Sequence, residues 1–503
     1  MASGSGTTLA NPARTYCEMY MSGYRHSTAS TPTGSGDPPR ISQADMKAKI
    51  LDEVKDAMFL VDLTAPGAPL QANPNDVQMV LNNLRFNHQT LFAVGPSTID
   101  APRFPPGGFD AETTSYGPLT DFLNAVIHAA NRHLTGPRYL QALRFYPYGA
   151  EMTDQVNSMK PLKPDILGLL SPQSQCSWND VAIFGEVKSQ PLDAIRQLTT
   201  YGRCSLALDR RRSFSIGFTF NHKTLALCFH SFHRSGVSVS SPLRLRQENG
   251  FENAVKHIVG IMSIRDESAF GLDATRFEDV YCLNGHKYDI AATIQNRESI
   301  RGHSTVVYIL RREEFIILAC TCSTYTLCVC PGQPKAARSH RAQDISASGL
   351  QSRTLTLIAG ELPDGIVYKM NYQPKGSPSE GHLFSHFRNH FGVVEIAGFY
   401  ICSESAGELF ASTKSHFSNA VFMALDKNKD KNPVPEVRFL HCTAIALQGQ
   451  QLLNTSGSDT TGPGIPTPPE LLETTLHAIL GELALIFSFF SILQHFLRSL
   501  QFV

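Results

Sequence analysis

Between Leu143 and Leu243 the chain reads as a series of short apolar runs: LRFYPY, KPDILGLL, DVAIFGEVKS, SFSIGFTFN, TLALCFHSF and GVSVSSPL. Their length and their content of aromatic and β-branched residues predict strands. One amphipathic stretch, from about Leu192 to Leu206, interrupts them and predicts a helix. Strands broken by a helix exclude an all-helical bundle and imply an α/β unit with polar residues at the ends of particular strands. No internal repeat at solenoid periods is present.

Upstream, residues 1–44 are rich in Gly, Ser, Thr and Pro and read as a mobile arm. Structure is expected to begin near Ala44, where Met46, Ile50, Val54 and Met58 recur at near-helical spacing. The run TDFLNAVIHAANRHL, from Thr120, predicts an amphipathic helix. Downstream, a second strand-rich stretch runs from Ser299 to about Tyr400, broken by the loop-like PGQPKAARSHRAQDISASG.

Hydrophobic residues make up 42% of the 503 and charged residues 17%, which excludes a wholly disordered protein. The 44 basic and 44 acidic residues cancel, so no global field draws the chain to nucleic acid or to an anionic membrane. Eleven cysteines are too few for a disulfide framework, and the N-terminus has no secretory signal pattern. A cytoplasmic or nuclear location follows as the expectation. The tail from Leu483 to Leu497 is apolar but interrupted by Ser488, Ser491, Gln494 and His495. It is shorter than a spanning helix and reads as a core helix, so no membrane association is expected.

Asp165, Glu186, Lys188 and Gln197 form the first chemical constellation, with Tyr201 one helical turn beyond Gln197. Strand alternation places Glu186 and Lys188 on one face, and a hairpin would set Asp165 beside them. Two carboxylates and a lysine at a strand end can hold a divalent metal and position a water for phosphodiester cleavage. This pattern resembles the PD-(D/E)xK nuclease superfamily, including the Q-x-x-x-Y element of some members. The plain alternative is a charged strand end whose Glu and Lys pair. Arg210, Arg211 and Arg212 form the one tight basic cluster and read as a solvated turn.

The second constellation is Gly302 opening a strand, Lys369 inside the strand GIVYKM, and Glu380 opening the run GHLFSHFRNHFG. A lysine inside an apolar strand needs a charge partner, and Glu380 can supply it. The order FGEVKS, QLTTYGR, HRSGVSVSSPL, RGHSTVVY, GIVYK and PPELLETTLHAILG resembles the fungal-type protein kinase family. The resemblance implies ATP- and Mg²⁺-dependent phosphorylation of Ser/Thr hydroxyls. It also implies that Lys369 anchors the nucleotide phosphates, that Glu380 pairs with it, and that Gly302 marks the phosphate loop. The H-R-D and D-F-G motifs are absent from the 503 residues, which implies no phosphoryl transfer by this chain. A protein partner or substrate of unknown kind is expected, with nucleic acid as the alternative.

The expected fold class is mixed α/β. A PD-(D/E)xK nuclease-like domain over 45–250 follows the arm. A connecting helical and loop segment spans 251–298. An incomplete protein-kinase-like N-lobe covers 299–470, with an inserted loop at about 313–353. An apolar helix over 471–503 would start a truncated C-lobe. The insertion and the tail are expected to derive from unspliced or frameshifted coding sequence. Two further patterns have bland readings. Cys320, Cys322, Cys328 and Cys330 read as buried thiols rather than zinc ligands. His382, His386 and His390 read as the polar face of a helix rather than a metal site.

Overall fold

A computed structural model describes residues 43–88, 92–94, 99–102, 104–154, 162–296, 299–301, 305–313, 351–358, 360–382, 396–402, 412–417, 419–423 and 433–446. The chain opens with α1 (Gln43–Val54), β1 (Met58–Leu60), α2 (Pro74–Asn87), β2 (Phe92–Val94), β3 (Ile99–Pro102) and α3 (Glu112–His133). Then follow β4 (Arg144–Pro147), β5 (Ile166–Leu169), β6 (Val181–Lys188), α4 (Pro191–Leu208), β7 (Phe214–Asn221), β8 (Ala226–His233), β9 (Gly236–Val239), β10 (Leu243–Arg244) and α5 (Glu248–Met262). The strands expected between Leu143 and Leu243 are therefore β4 to β10, with α4 between them.

These strands form one sheet in the order β18-β1-β9-β8-β7-β6-β5-β4, with β10 beside β8 and β18 (Val421–Phe422) arriving from far downstream. β6 and β7 are parallel, as the intervening helix α4 requires; β5 and β6 are antiparallel. Helices α2, α3 and α5 bury one face of the sheet, through residues such as Leu84, Phe122 and Phe251. Helices α1 and α4 bury the other, through Val54, Ile195 and Leu198. Because both faces are covered, β6 and β7 are buried almost throughout rather than alternating. Their register sets Phe184 opposite Gly217 and Gly185 opposite Phe218. A Cβ on Gly185 would lie 2.2 Å from the Phe218 ring, so each phenyl lies over the glycine across from it.

The second sheet is antiparallel. It contains β11 (Arg276–Phe277), β12 (Val280–Leu283), β13 (His286–Asn296), β14 (Val306–Arg312), β15 (Thr356–Leu357), β16 (Gly365–Pro374), β17 (Ile396–Ile401) and β19 (Arg438–Ala446). Their order is β11-β12-β13-β14-β16-β19-β17-β15. The core on one of its faces carries buried tyrosines, Tyr281, Tyr308, Tyr368 and Tyr372. Their hydroxyls need partners there. Arg353 donates to the Tyr368 hydroxyl at 3.0 Å and to Asp273 at 2.9 Å, and Arg276 donates to Tyr308 at 2.9 Å.

Residues 251–298, expected as a connection, divide between the two sheets: α5 packs into the first core and β11 to β13 belong to the second. A return segment also ties the halves together. Its 3₁₀ turn, Lys414–Phe417, buries His416 against the first sheet, and β18 then pairs with β1. The His416 ring stacks on His233 with centroids 4.6 Å apart, and Ser238 donates to the His416 carbonyl at 2.6 Å. The run HRSGVSVSSPL is thus a seat for this segment.

The basic triplet at Arg210–Arg212 is not a solvated turn. Arg212 is buried, pairs with Asp209 at 3.1 Å and donates to the Val181 carbonyl at 2.9 Å. Arg210 donates to Thr293 of β13 at 2.6 Å. The charges serve the junction between the sheets because strand-end carbonyls there need donors. Among the described residues no helix is long and apolar enough to cross a membrane.

Candidate functional site

Strand β6 ends in Glu186-Val187-Lys188, next to the loop that carries Asp165 into β5. The hairpin closes there because Asp165 Oδ2 accepts the Val187 N–H at 2.9 Å. Lys188 Nζ lies 2.7 Å from Glu186, 2.9 Å from Glu112 and 3.4 Å from Asp165. Tyr116 donates to the other Asp165 oxygen at 2.6 Å. From α4, Gln197 Nε2 donates to the Tyr201 hydroxyl at 2.5 Å, and that hydroxyl lies 3.0 Å from Glu186 Oε2. The structure therefore brings Asp165, Glu186, Lys188, Gln197 and Tyr201 together.

The electrostatics of this cluster follow from counting charges. Three carboxyl groups face one ammonium. Burial, followed by repulsion from Asp165, pushes the Glu186 carboxyl up to about 8, against the opposing pull of Lys188. Burial alone would lower the Lys188 pKa, but Glu186 and Asp165, with the Glu112 hydrogen bond, hold it above its ordinary value. Burial and then Asp165 push the Tyr116 phenol up. Among the described residues no three His, Cys, Asp or Glu side chains converge so as to hold a metal ion. The ammonium stands between the carboxylates, so these residues as placed do not fit a divalent cation.

Glu112 and Tyr116 were not visible in the sequence as site residues. The amphipathic helix is expected from Thr120, so both residues fall ahead of it. The helix begins at Glu112 and carries Pro118 inside it. The signal that remains is the four-residue spacing of Glu112 and Tyr116, which sets both on one face of that first stretch.

Lys369 lies mid-way along β16, opposite Val307 of β14 and Thr443 of β19. Its Nζ is 2.5 Å from Glu380 Oε2, and the two side chains keep 27% and 39% of their exposure. Glu380 stands where the chain turns helical. The Ser379 hydroxyl accepts the His382 N–H at 3.4 Å, and a Cβ on Gly381 would lie 2.4 Å from the Phe399 Cβ. A side chain at 381 would lift this turn away from the sheet. Val307, Val367 and Ile445, half-buried, share the Lys369 face. Two positions along that face, His441 is buried, and among the described residues its Nδ1 has no hydrogen-bond partner. Burial holds that imidazole below its ordinary pKa.

Gly302 lies outside the described residues, as do Cys320, Cys322, Cys328, Cys330, His386, His390, most of the inserted loop and the apolar tail. His382 is described, and its ring meets Phe399 edge-on at 6.0 Å.

Residues 167–319 match the sequence model of a family described as fungal protein kinase. The match covers less than half of the chain and supports a kinase-like relationship at the level of the family. It begins in β5, takes in Glu186, Lys188, Gln197, Tyr201 and the His233 run, and passes through the β13–β14 pair. It stops short of Lys369 and Glu380. The family signal thus spans both sheets rather than the second alone. No curated protein and no solved structure matches the chain.

Proposed function

We propose that this chain is a kinase-like protein of the fungal family type whose second sheet anchors the phosphates of ATP, with Mg²⁺, without transferring them by itself. The Lys369–Glu380 ion pair carries this reading. In protein kinases a strand lysine held by a helix glutamate contacts the nucleotide phosphates. Lys369 has that neighbourhood: a central strand, a glutamate at the following helical turn, and half-buried apolar residues beside it. The family match supports it at the coarser level. The 503 residues hold neither an H-R-D base nor a D-F-G metal ligand, so transfer would need those groups from elsewhere.

The test is calorimetry of ATP with Mg²⁺ on the full chain. The expected result is binding that Lys369→Ala weakens at least about tenfold, the loss of one charge-assisted phosphate contact. Equal affinity for the unsubstituted chain and Lys369→Ala, or no binding to either, overturns the proposal.

The nuclease reading of Asp165, Glu186, Lys188 and Gln197 is supported by their assembly but opposed by the ammonium between the carboxylates and by the raised Glu186 pKa. We read that cluster as a charge knot that closes the end of the first sheet.

A further inference from the structure

Strand β19 brings a histidine to the face that carries Lys369. Lys369 stands opposite Thr443 and Asn371 opposite His441, so Lys369 and His441 are diagonal neighbours on adjacent strands. Such neighbours lie about 7–8 Å apart, within reach of a long side chain. The turn that carries Glu380 rests at the same place: a Cβ on Gly381 would lie 2.4 Å from the Phe399 Cβ and 3.3 Å from the Thr443 Oγ1. Phe399 and Ile401 of β17 are the partners of Thr443 and His441 on the other side of β19. The Glu380 carboxylate is close enough to the His441 ring to pull its pKa upward against the larger effect of burial. Among the described residues the other titratable groups here are Lys369, on β16, and His382, whose ring meets Phe399. β17 brings the apolar Ile401 to His441.

His441 keeps only 6% of its exposure, and among the described residues its Nδ1 has no hydrogen-bond partner. A buried polar atom left in that state costs free energy, and an apolar side chain would fill the place without it. One carboxylate thus stands near two basic groups, a lysine that already holds it and a histidine that gains a charge only on taking up a proton. We propose that His441 is a positioning residue of the Lys369 site: once protonated it shares the Glu380 carboxylate, and so frees the Lys369 ammonium for a phosphate. This rests on the reading of Lys369 and Glu380 as a nucleotide anchor and adds what regulates that anchor. The sign follows from linkage. A phosphate at Lys369 brings negative charge beside His441 and favours its protonated form, so a proton on His441 favours the phosphate equally. Affinity for ATP therefore rises as pH falls through the range where His441 titrates.

The experiment is calorimetry of ATP with Mg²⁺ on the full chain and on His441→Gln, from about pH 8 to about pH 5.5, across the ordinary histidine range. Protonation of ATP itself affects both chains alike, so the ratio of their affinities is the quantity read. The expected result is a ratio that grows at least about fivefold in favour of the unsubstituted chain as pH falls. A ratio that stays constant, with binding still weakened by Lys369→Ala, overturns the inference and leaves the Lys369 reading intact. Absence of binding to the unsubstituted chain overturns that reading, and the inference with it. A second measurement needs no variant at position 441. Histidine-selective NMR titration of the full chain and of Glu380→Gln should show one imidazole whose pKa falls when the carboxylate is removed. Imidazole pKa values identical in the two chains overturn the inference.

Discussion

Two lysines on two sheets have opposite surroundings. Lys188 faces three carboxyl groups, one of them on a side chain with no exposed surface. Among the described residues Lys369 pairs with one carboxylate, that of Glu380, and both partners remain in partial contact with water. The first arrangement is over-determined: the charge cannot leave without stranding Glu186 in the interior. The second is poised, because a ligand phosphate can share the ammonium at little cost to the fold. A functional reading from motifs alone would have ranked the tighter constellation first. Burial and charge count rank the looser one first.

The comparison can be broken most directly by removing each ammonium. Lys188→Ala is expected to destabilise by about 1–3 kcal/mol, because the buried Glu186 carboxyl loses a hydrogen-bond donor. Urea unfolding would measure this, and a loss under about 1 kcal/mol would make the knot dispensable. A comparable effect is expected from Gly202→Ala in α4. Its Cβ would sit 2.4 Å from the Phe232 ring, so overpacking should cost about 1–3 kcal/mol, read as a lowered unfolding midpoint. Lys369→Ala should change stability least, by less than about 1 kcal/mol, since exposed pairs contribute little. Its large effect should appear only in nucleotide affinity.

pH sharpens the same contrast. The folded-state pKa of Glu186 is raised from 4.5 to about 8. The folded chain therefore holds a proton that the unfolded chain has lost, and this contribution is full below 4.5 and disappears as pH rises through about 8. Glu186→Gln should flatten the stability profile across that window. The buried histidines act at the other end. His230 and His416 are pushed down to about 3 and His257 to about 4 by burial. Their contribution is present above the ordinary histidine pKa and is lost as pH falls toward 3. Unfolding at a series of pH values, with His416→Asn beside the unsubstituted chain, would separate the two limbs. An unchanged acid limb in that variant would exclude His416 as a contributor.

The local grammar of the first sheet was legible. The apolar runs from Leu143 onward are strands because their pattern carries length and composition cues, and the Asp165–Glu186 hairpin followed from adjacency. Tyr201 and Gln197 were legible through helical spacing. What escaped was the long-range placement. Glu112 reaches Lys188 from 76 positions away, and nothing local marks that partnership. The arginines of Arg210–Arg212 looked solvated because a charge run gives no sign of the carbonyls it will meet. His416, which stacks on His233, lies beyond most of the second sheet in sequence, so nothing local pairs the two. Lys369 and Glu380 were found because a charge inside an apolar strand demands a partner nearby.

The pairing of β18 with β1 also bears on how the chain is made. The ribosome releases Met58–Leu60 early and Val421–Phe422 late, yet these strands complete each other at one border of the first sheet. Until the return segment emerges, the open side of β1 presents unpaired backbone groups along an apolar strand, a template for association with other nascent chains. Slow synthesis between the two would lengthen that exposure, and a chaperone that masks an apolar strand would be most useful in this interval.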